Sequence, residues 1–155
     1  MTLKFIGLDM DGTVIVNESW DQLSMAINQE RAFRQNMTDY KDHQDYNRWF
    51  QADCELLRGI PVKDVLPKLP TTYAPGVMEF MDYVHSLSEK PVVGLVSSGI
   101  DLVASYVGLE LGLDFVVANE IETNEFYFTG GGKVNVPLDG KGEVIKKLLE
   151  KYGVD

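Results

Sequence analysis

Short apolar runs set between helix-patterned segments constrain the fold of this chain most. Leu3–Leu8 is such a run, and it stops at Asp9-Met10-Asp11-Gly12-Thr13. A run of this length bounded by turn residues predicts a buried strand. Pro91–Val96 and Asp114–Ala118 have the same character. Helical segments lie between them. Pro75 is expected in a first helical turn, with Val77, Phe80, Met81, Val84 and Leu87 on one face. Asp101–Leu111 predicts a helix stopped by Gly112. Asp139 is expected to cap a last helix that buries Val144, Ile145, Leu148 and Leu149 and ends at Gly153. Strands alternating with helices predict an α/β protein with a doubly wound, Rossmann-like parallel sheet.

Two stretches break this rhythm. Asn17 to about Leu69 has helical spacing and no good strand: Trp20, Leu23 and Ile27, then Trp49, Ala52 and Leu56. It predicts a small helical insert after the first strand. Glu120–Pro137 predicts a hairpin, with Phe126-Tyr127-Phe128 on a strand and Gly130-Gly131-Gly132 as its turn.

Charge narrows the function. The 155 residues carry a formal net charge of -10, with a pI near 4.6. Such a surface repels nucleic-acid phosphates and anionic lipid, so neither is expected as a partner. It also repels a phosphorylated small molecule, so a site for one needs local positive charge or a metal ion. The single cysteine, Cys54, has no internal disulfide partner. No leader-like segment opens the sequence, and no stretch is apolar enough to span a bilayer. A cytoplasmic location is expected.

Three elements can carry chemistry. Asp9 and Asp11 stand where the first strand ends, the place where open α/β sheets bind ligands. Residues two apart on extended backbone point the same way, so their carboxylates converge. Such a pair can hold Mg²⁺, which takes a few hard oxygen ligands and keeps several waters. One carboxylate can attack phosphorus while the other moves the proton. The plain alternative is an ordinary Asp-Gly turn. Next, Val92–Val96 runs into Ser97-Ser98-Gly99 before a helix, a place for a phosphate cradle or simply a Ser/Gly turn. Last, Lys141 opens the final helix, where the dipole disfavours a cation. It is either solvated or held by an anion.

These three elements, in this order, resemble motifs one to three of the haloacid dehalogenase superfamily. Asn17-Glu18-Ser19-Trp20, Leu56-Leu57-Arg58-Gly59-Ile60-Pro61, Ser97-Ser98-Gly99-Ile100, Leu111-Gly112-Leu113-Asp114 and Lys141-Gly142-Glu143 are similar to phosphoserine phosphatases in particular. The resemblance implies a core of residues 1–16 and 71–155 with a helical cap, 17–70, of the C1 type. It implies a Mg²⁺-dependent phosphatase acting on a small phosphate monoester through an aspartyl phosphate. Asp9 would be nucleophile and metal ligand. Asp11 would be acid/base, with its main-chain carbonyl on the metal. Ser97, Ser98, Gly99 and Lys141 would hold the phosphoryl group, and Glu18 would meet a substrate amine. The second Asp argues against dehalogenases, which lack that acid/base. A phosphotransferase or mutase, or a phosphate-binding protein without turnover, are the alternatives.

The sequence departs from the family twice. The fourth motif, usually Gly-Asp-x-x-x-Asp on a strand beside the first, has no counterpart before Asp155. This reads as truncation, with an open sheet edge that would suit a homodimer; the alternatives are a strand supplied by a partner chain, or Glu120 or Asp139 as a stand-in ligand. In the cap, Asp53 stands where phosphoserine phosphatases carry the Arg that meets the substrate carboxylate, with Arg48 or Arg58 as nearby substitutes. His43 and His85 are expected on solvated surfaces. Trp20 and Trp49 are expected to pack helices.

Overall fold

A computed structural model of the chain describes residues 3–40 and 45–154; His43 lies outside them. The strands are β1 (Phe5–Leu8), β2 (Val92–Ile100), β3 (Phe115–Thr123) and β4 (Phe128–Lys133). They form one sheet in the order β1-β2-β3-β4. The first three are parallel and β4 is antiparallel to β3. Among the described residues no strand lies beyond β1. No helix among them is long and apolar enough to cross a membrane.

Side-chain alternation along β2 splits the core in two, because successive residues of a strand face opposite ways. Val93 and Leu95 join Met81 and Val84 of helix α5 (Val77–Ser86) and Val103 and Val107 of helix α6 (Asp101–Glu110). Val92 and Val96 join Phe115 and Leu148, the latter from helix α7 (Lys141–Tyr152). The sheet is thus covered on both faces, as the apolar runs require. Phe80 does not share the buried face of α5; it is 40% exposed. Nor is Pro75 in the first turn: Gly76, at φ 88°, precedes α5. Asp139 does not cap α7. Gly140 holds that position without a side-chain bond, and the helix ends at left-handed Gly153.

Between β1 and α5 come helices α1 (Ser19–Ala26), α2 (Glu30–Asp39), α3 (Tyr46–Glu55) and α4 (Val62–Val65), with a 3-10 turn at Leu66–Lys68. This segment leaves and rejoins the sheet at one place. Val16 N donates to Thr72 O and Ala74 N to Val14 O, both at 2.9 Å. An exit and a return tied side by side hang the helices over the C-terminal end of β1.

The hairpin differs from expectation. Its turn is Asn124–Tyr127, where the Asn124 side chain accepts from Phe126 N and Tyr127 N. The three glycines lie within β4. The physical reason is space. A Cβ on Gly132 would stand 2.4 Å from Glu120 O and 2.8 Å from the Phe50 ring. Bare backbone there lets α3 lie directly against β4.

Candidate active site

β1 delivers Asp9 at its C-terminal end, and the chain then winds tightly around Met10. The amides of Thr13, Val14 and Ile15 all donate to Met10 O. Gly12, at φ 68°, makes the turn that a side chain would strain. Asp9 Oδ1 accepts from Met10 N at 2.9 Å and lies 2.7 Å from Lys141 Nζ. The anion explains a lysine at the first position of α7: Asp9 offsets the unfavourable helix dipole.

Asp11 turns to a different partner. Its Oδ1 accepts from Ser19 N at 3.0 Å and its Oδ2 from Ser19 Oγ at 2.8 Å. Burial drives the Asp11 pKa up to about 6; the Ser19 bonds oppose it, and the nearby Glu18 and Asp9 charges add to it. Ser19 is fully buried, and its hydroxyl also accepts from Ile100 N at 3.3 Å. It therefore joins helix α1 to both loops of the site.

The second loop is a bulge. β2 and β3 pair at Val96↔Val117 and next at Ile100↔Asn119. Ser97-Ser98-Gly99 is thereby pushed off the ladder towards Asp11. Gly99 has to be glycine, since a Cβ would lie 2.6 Å from Asp11 Oδ2 and from Ser19 Oγ. Ser97 is buried, its hydroxyl accepting from Gly99 N at 2.9 Å. Ser98 Oγ instead donates to Pro137 O. The Ser98 carbonyl accepts from Trp20 Nε1, Tyr46 Oη and Asn119 Nδ2. Buried Asn119 also takes up Asn135 N and Val136 N with its carbonyl oxygen. Ser19, Tyr46 and Asn119 were not singled out in the sequence. A serine at a helix start reads as a cap, and nothing local marks an inward-turned Asn in a strand.

A cavity of about 820 Å³ collects Asp9, Asp11, Glu18, Ser97, Ser98, Gly99 and Lys141 in its wall. The residues of the three sequence elements and Glu18 thus line one cavity. Trp20 and Trp49 line it too, besides packing edge-on against Phe50 and Tyr46 respectively. Asp53 lines it and is buried; its carboxyl accepts from Asn36 Nδ2 at 2.8 Å. Burial lifts the Asp53 pKa to about 7, against the hydrogen bonds from Asn36 and Trp49. Neither expected arginine substitute is in the wall. Arg48 pairs with Asp45, and Arg58 pairs with Glu55, both largely exposed. Arg34 is in the wall, unanticipated.

Two other expectations resolve simply. Burial raises the Cys54 thiol to about 12, leaving it unreactive. His85 is exposed at the end of α5, as expected. For a metal, the described residues gather no group of three His, Cys, Asp or Glu side chains. Glu120 and Asp139 are not in the cavity wall, so neither stands in beside Asp9. The carboxylates of Asp9 and Asp11 are hard oxygen donors, which fit Mg²⁺, an ion content with one or two protein carboxylates and several waters.

No protein-family model matches the chain. A probable phosphoserine phosphatase of Schizosaccharomyces pombe is 27% identical, over 98% of this chain and 52% of that one. A phosphoserine phosphatase of Polaromonas is 29% identical, over 97% of this chain and 65% of its own length. Among solved structures, a phosphoserine phosphatase captured as an analogue of its phospho-aspartyl intermediate superimposes with a TM-score of 0.83 at 23% identity. It is matched over 100% of this chain and 75% of the other. A HAD family hydrolase from Salmonella enterica serovar Typhi gives 0.83 at 18% identity, over 98% and 53%. The chain spans half to two thirds of the length of these curated relatives. Along nearly the whole chain the sequence is thus similar to phosphoserine phosphatases, and its α/β fold is the one that a phosphoserine phosphatase and a HAD family hydrolase share.

Proposed function

We propose that the protein is a Mg²⁺-dependent phosphatase of small phosphate monoesters that works through an aspartyl phosphate. The observation that carries this is the Asp9–Lys141 contact of 2.7 Å at the mouth of β1, with Asp11 two residues away in the same cavity. Residues 17–70 act as a cap over a core of 1–16 and 71–155.

Asp9 attacks phosphorus with a carboxylate oxygen, and the leaving-group oxygen departs. Lys141, Ser97 and the amides of the Ser97–Gly99 bulge neutralise and orient the transferred group. Asp11, with a pKa near 6, is protonated often enough near neutrality to donate to the leaving oxygen. As carboxylate it then takes a proton from the water that cleaves the acyl phosphate. Both its oxygens accept from Ser19 here, so proton delivery takes a side-chain rotation off Ser19. Mg²⁺, held by the Asp9 carboxylate and the Asp11 main-chain carbonyl, would supply further charge neutralisation.

The test is Mg²⁺-dependent phosphate release from an aryl phosphate and from phosphoserine, with Asp9→Asn as the variant. Turnover should fall by at least about 10³-fold in the variant. Undiminished turnover by Asp9→Asn would refute the nucleophile assignment.

A further inference from the structure

The part of the cavity beyond the phosphoryl end has an unusual charge pattern. Among the described residues, the wall of the whole cavity carries six carboxylates (Asp9, Asp11, Glu18, Asp21, Glu30 and Asp53) and two cations, Arg34 and Lys141. Lys141 is committed to Asp9 and the phosphoryl group. Arg34 is exposed, and its Nε donates to Glu30 O at 3.4 Å, within its own helix. Asp53 is 6% exposed and sits among aromatic rings: Tyr46 and Trp49 meet edge to face at 5.8 Å, and Trp20 and Phe50 at 5.7 Å.

A substrate carboxylate entering here would be desolvated beside Asp53 with no buried cation among the described residues to receive it, which is costly. An ammonium meets the opposite conditions. Aromatic faces attract organic cations, most strongly away from water, and a buried carboxylate supplies the counter-charge. Glu18, next to Gly12 near the phosphoryl end, offers a second one: its Oε1 is 3.4 Å from where a Gly12 Cβ would be.

We infer that the cavity selects an amino-alcohol phosphate, a monoester whose leaving group carries an ammonium and no carboxylate, with Asp53 and Glu18 as the counter-charges. The inference rests on the phosphatase reading above and deepens it. Cleavage follows the same balance: the P–O bond to the amino alcohol breaks, that oxygen takes a proton, and water completes inorganic phosphate.

The experiment compares kcat/KM for phosphoethanolamine, phosphocholine, phosphoserine and an aryl phosphate, in wild type and in Asp53→Asn, Glu18→Gln and Arg34→Gln. An amino-alcohol phosphate should exceed phosphoserine by about tenfold or more, a difference of about 1.4 kcal/mol. Asp53→Asn or Glu18→Gln should shrink that ratio mainly through KM; Glu18→Gln keeps the test alive if the Asp53 variant folds poorly. Preference for phosphoserine that disappears in Arg34→Gln would overturn the inference and make Arg34 the carboxylate anchor. Turnover of the aryl phosphate alone, or equal use of both esters, would also overturn it while leaving the phosphatase reading in place. If nothing is turned over, that reading fails for this chain and binding decides the matter. Both tryptophans of the chain line the cavity, so their fluorescence reports on it. Phosphoethanolamine titrated into Asp9→Asn should bind about tenfold tighter than phosphoserine; equal or weaker binding overturns the inference.

Discussion

Asp11 stands between two opposing influences: burial raises its pKa to about 6, and two bonds from Ser19 pull it back down. The protonated form is the one that protonates a leaving oxygen. Turnover of an alkyl phosphate limited by that step should therefore decline as pH rises through about 6. An aryl phosphate, with its better leaving group, should show a weaker decline. Ser19→Ala removes a hydroxyl bond that lowers the Asp11 pKa, so the declining limb should move to higher pH. A pH–kcat/KM profile checks this, and a limb that stays put in Ser19→Ala would dissociate it from Asp11. The Asp pair itself was legible in the sequence because its two members are near neighbours in the chain just past a strand, although a tight turn around Met10 rather than extended backbone places them in the cavity. Ser19 was not, because its function depends on where α1 lies over the Gly99 loop, a contact across about eighty residues.

The hairpin shows how an element can be right in kind and wrong in detail. Antiparallel β3 and β4 follow from the aromatic run and the polar residues around it. The turn was misplaced because three glycines are a strong turn signal on local grounds. Here they answer a tertiary demand, the approach of α3 to the sheet. Gly132→Val should accordingly lever Phe50 and the Glu120 backbone apart. Overpacking of this sort costs about 1–3 kcal/mol. A thermal melt should show Tm lower by several degrees, and an unchanged Tm would mean that α3 gives way at no cost. The bulge in β2 is the same kind of feature. Val92–Val96 is legible as a strand, but the offset that turns Ser97–Gly99 towards Asp11 arises only in pairing with β3.

Across the molecule, an acidic chain with net charge -10 buries one of its carboxylates, Asp53, on helix α3. Its folded pKa, about 7, lies above the ordinary 3.8. Folding therefore takes up a proton between those values. The group's stabilising contribution is complete below about 3.8 and is lost as pH rises through about 7. Asp53→Asn removes the charge and keeps a polar side chain beside Asn36. The variant should be more stable than wild type at pH 8, by about 1–3 kcal/mol, with the gap closing towards pH 5. Melts at both pH values measure it; a gap that widens at low pH would contradict a raised Asp53. A carboxylate kept at such a cost to stability is what a cation-binding role would require.

By itself the sequence determined the alternation of strands and helices and the place of the helical insert, and its family resemblance nominated Asp9, Asp11, Ser97 and Lys141. The first two rest on local periodicity, the last on short motifs in a fixed order. Only the tertiary structure decided that Lys141 meets Asp9, that Ser19 holds Asp11, that Arg34 rather than Arg48 or Arg58 reaches the cavity, and that Asp53 is buried there among aromatic rings. Each of these joins residues far apart in the chain, and packing of helices against one another and against the sheet, which no local pattern encodes, brings them together.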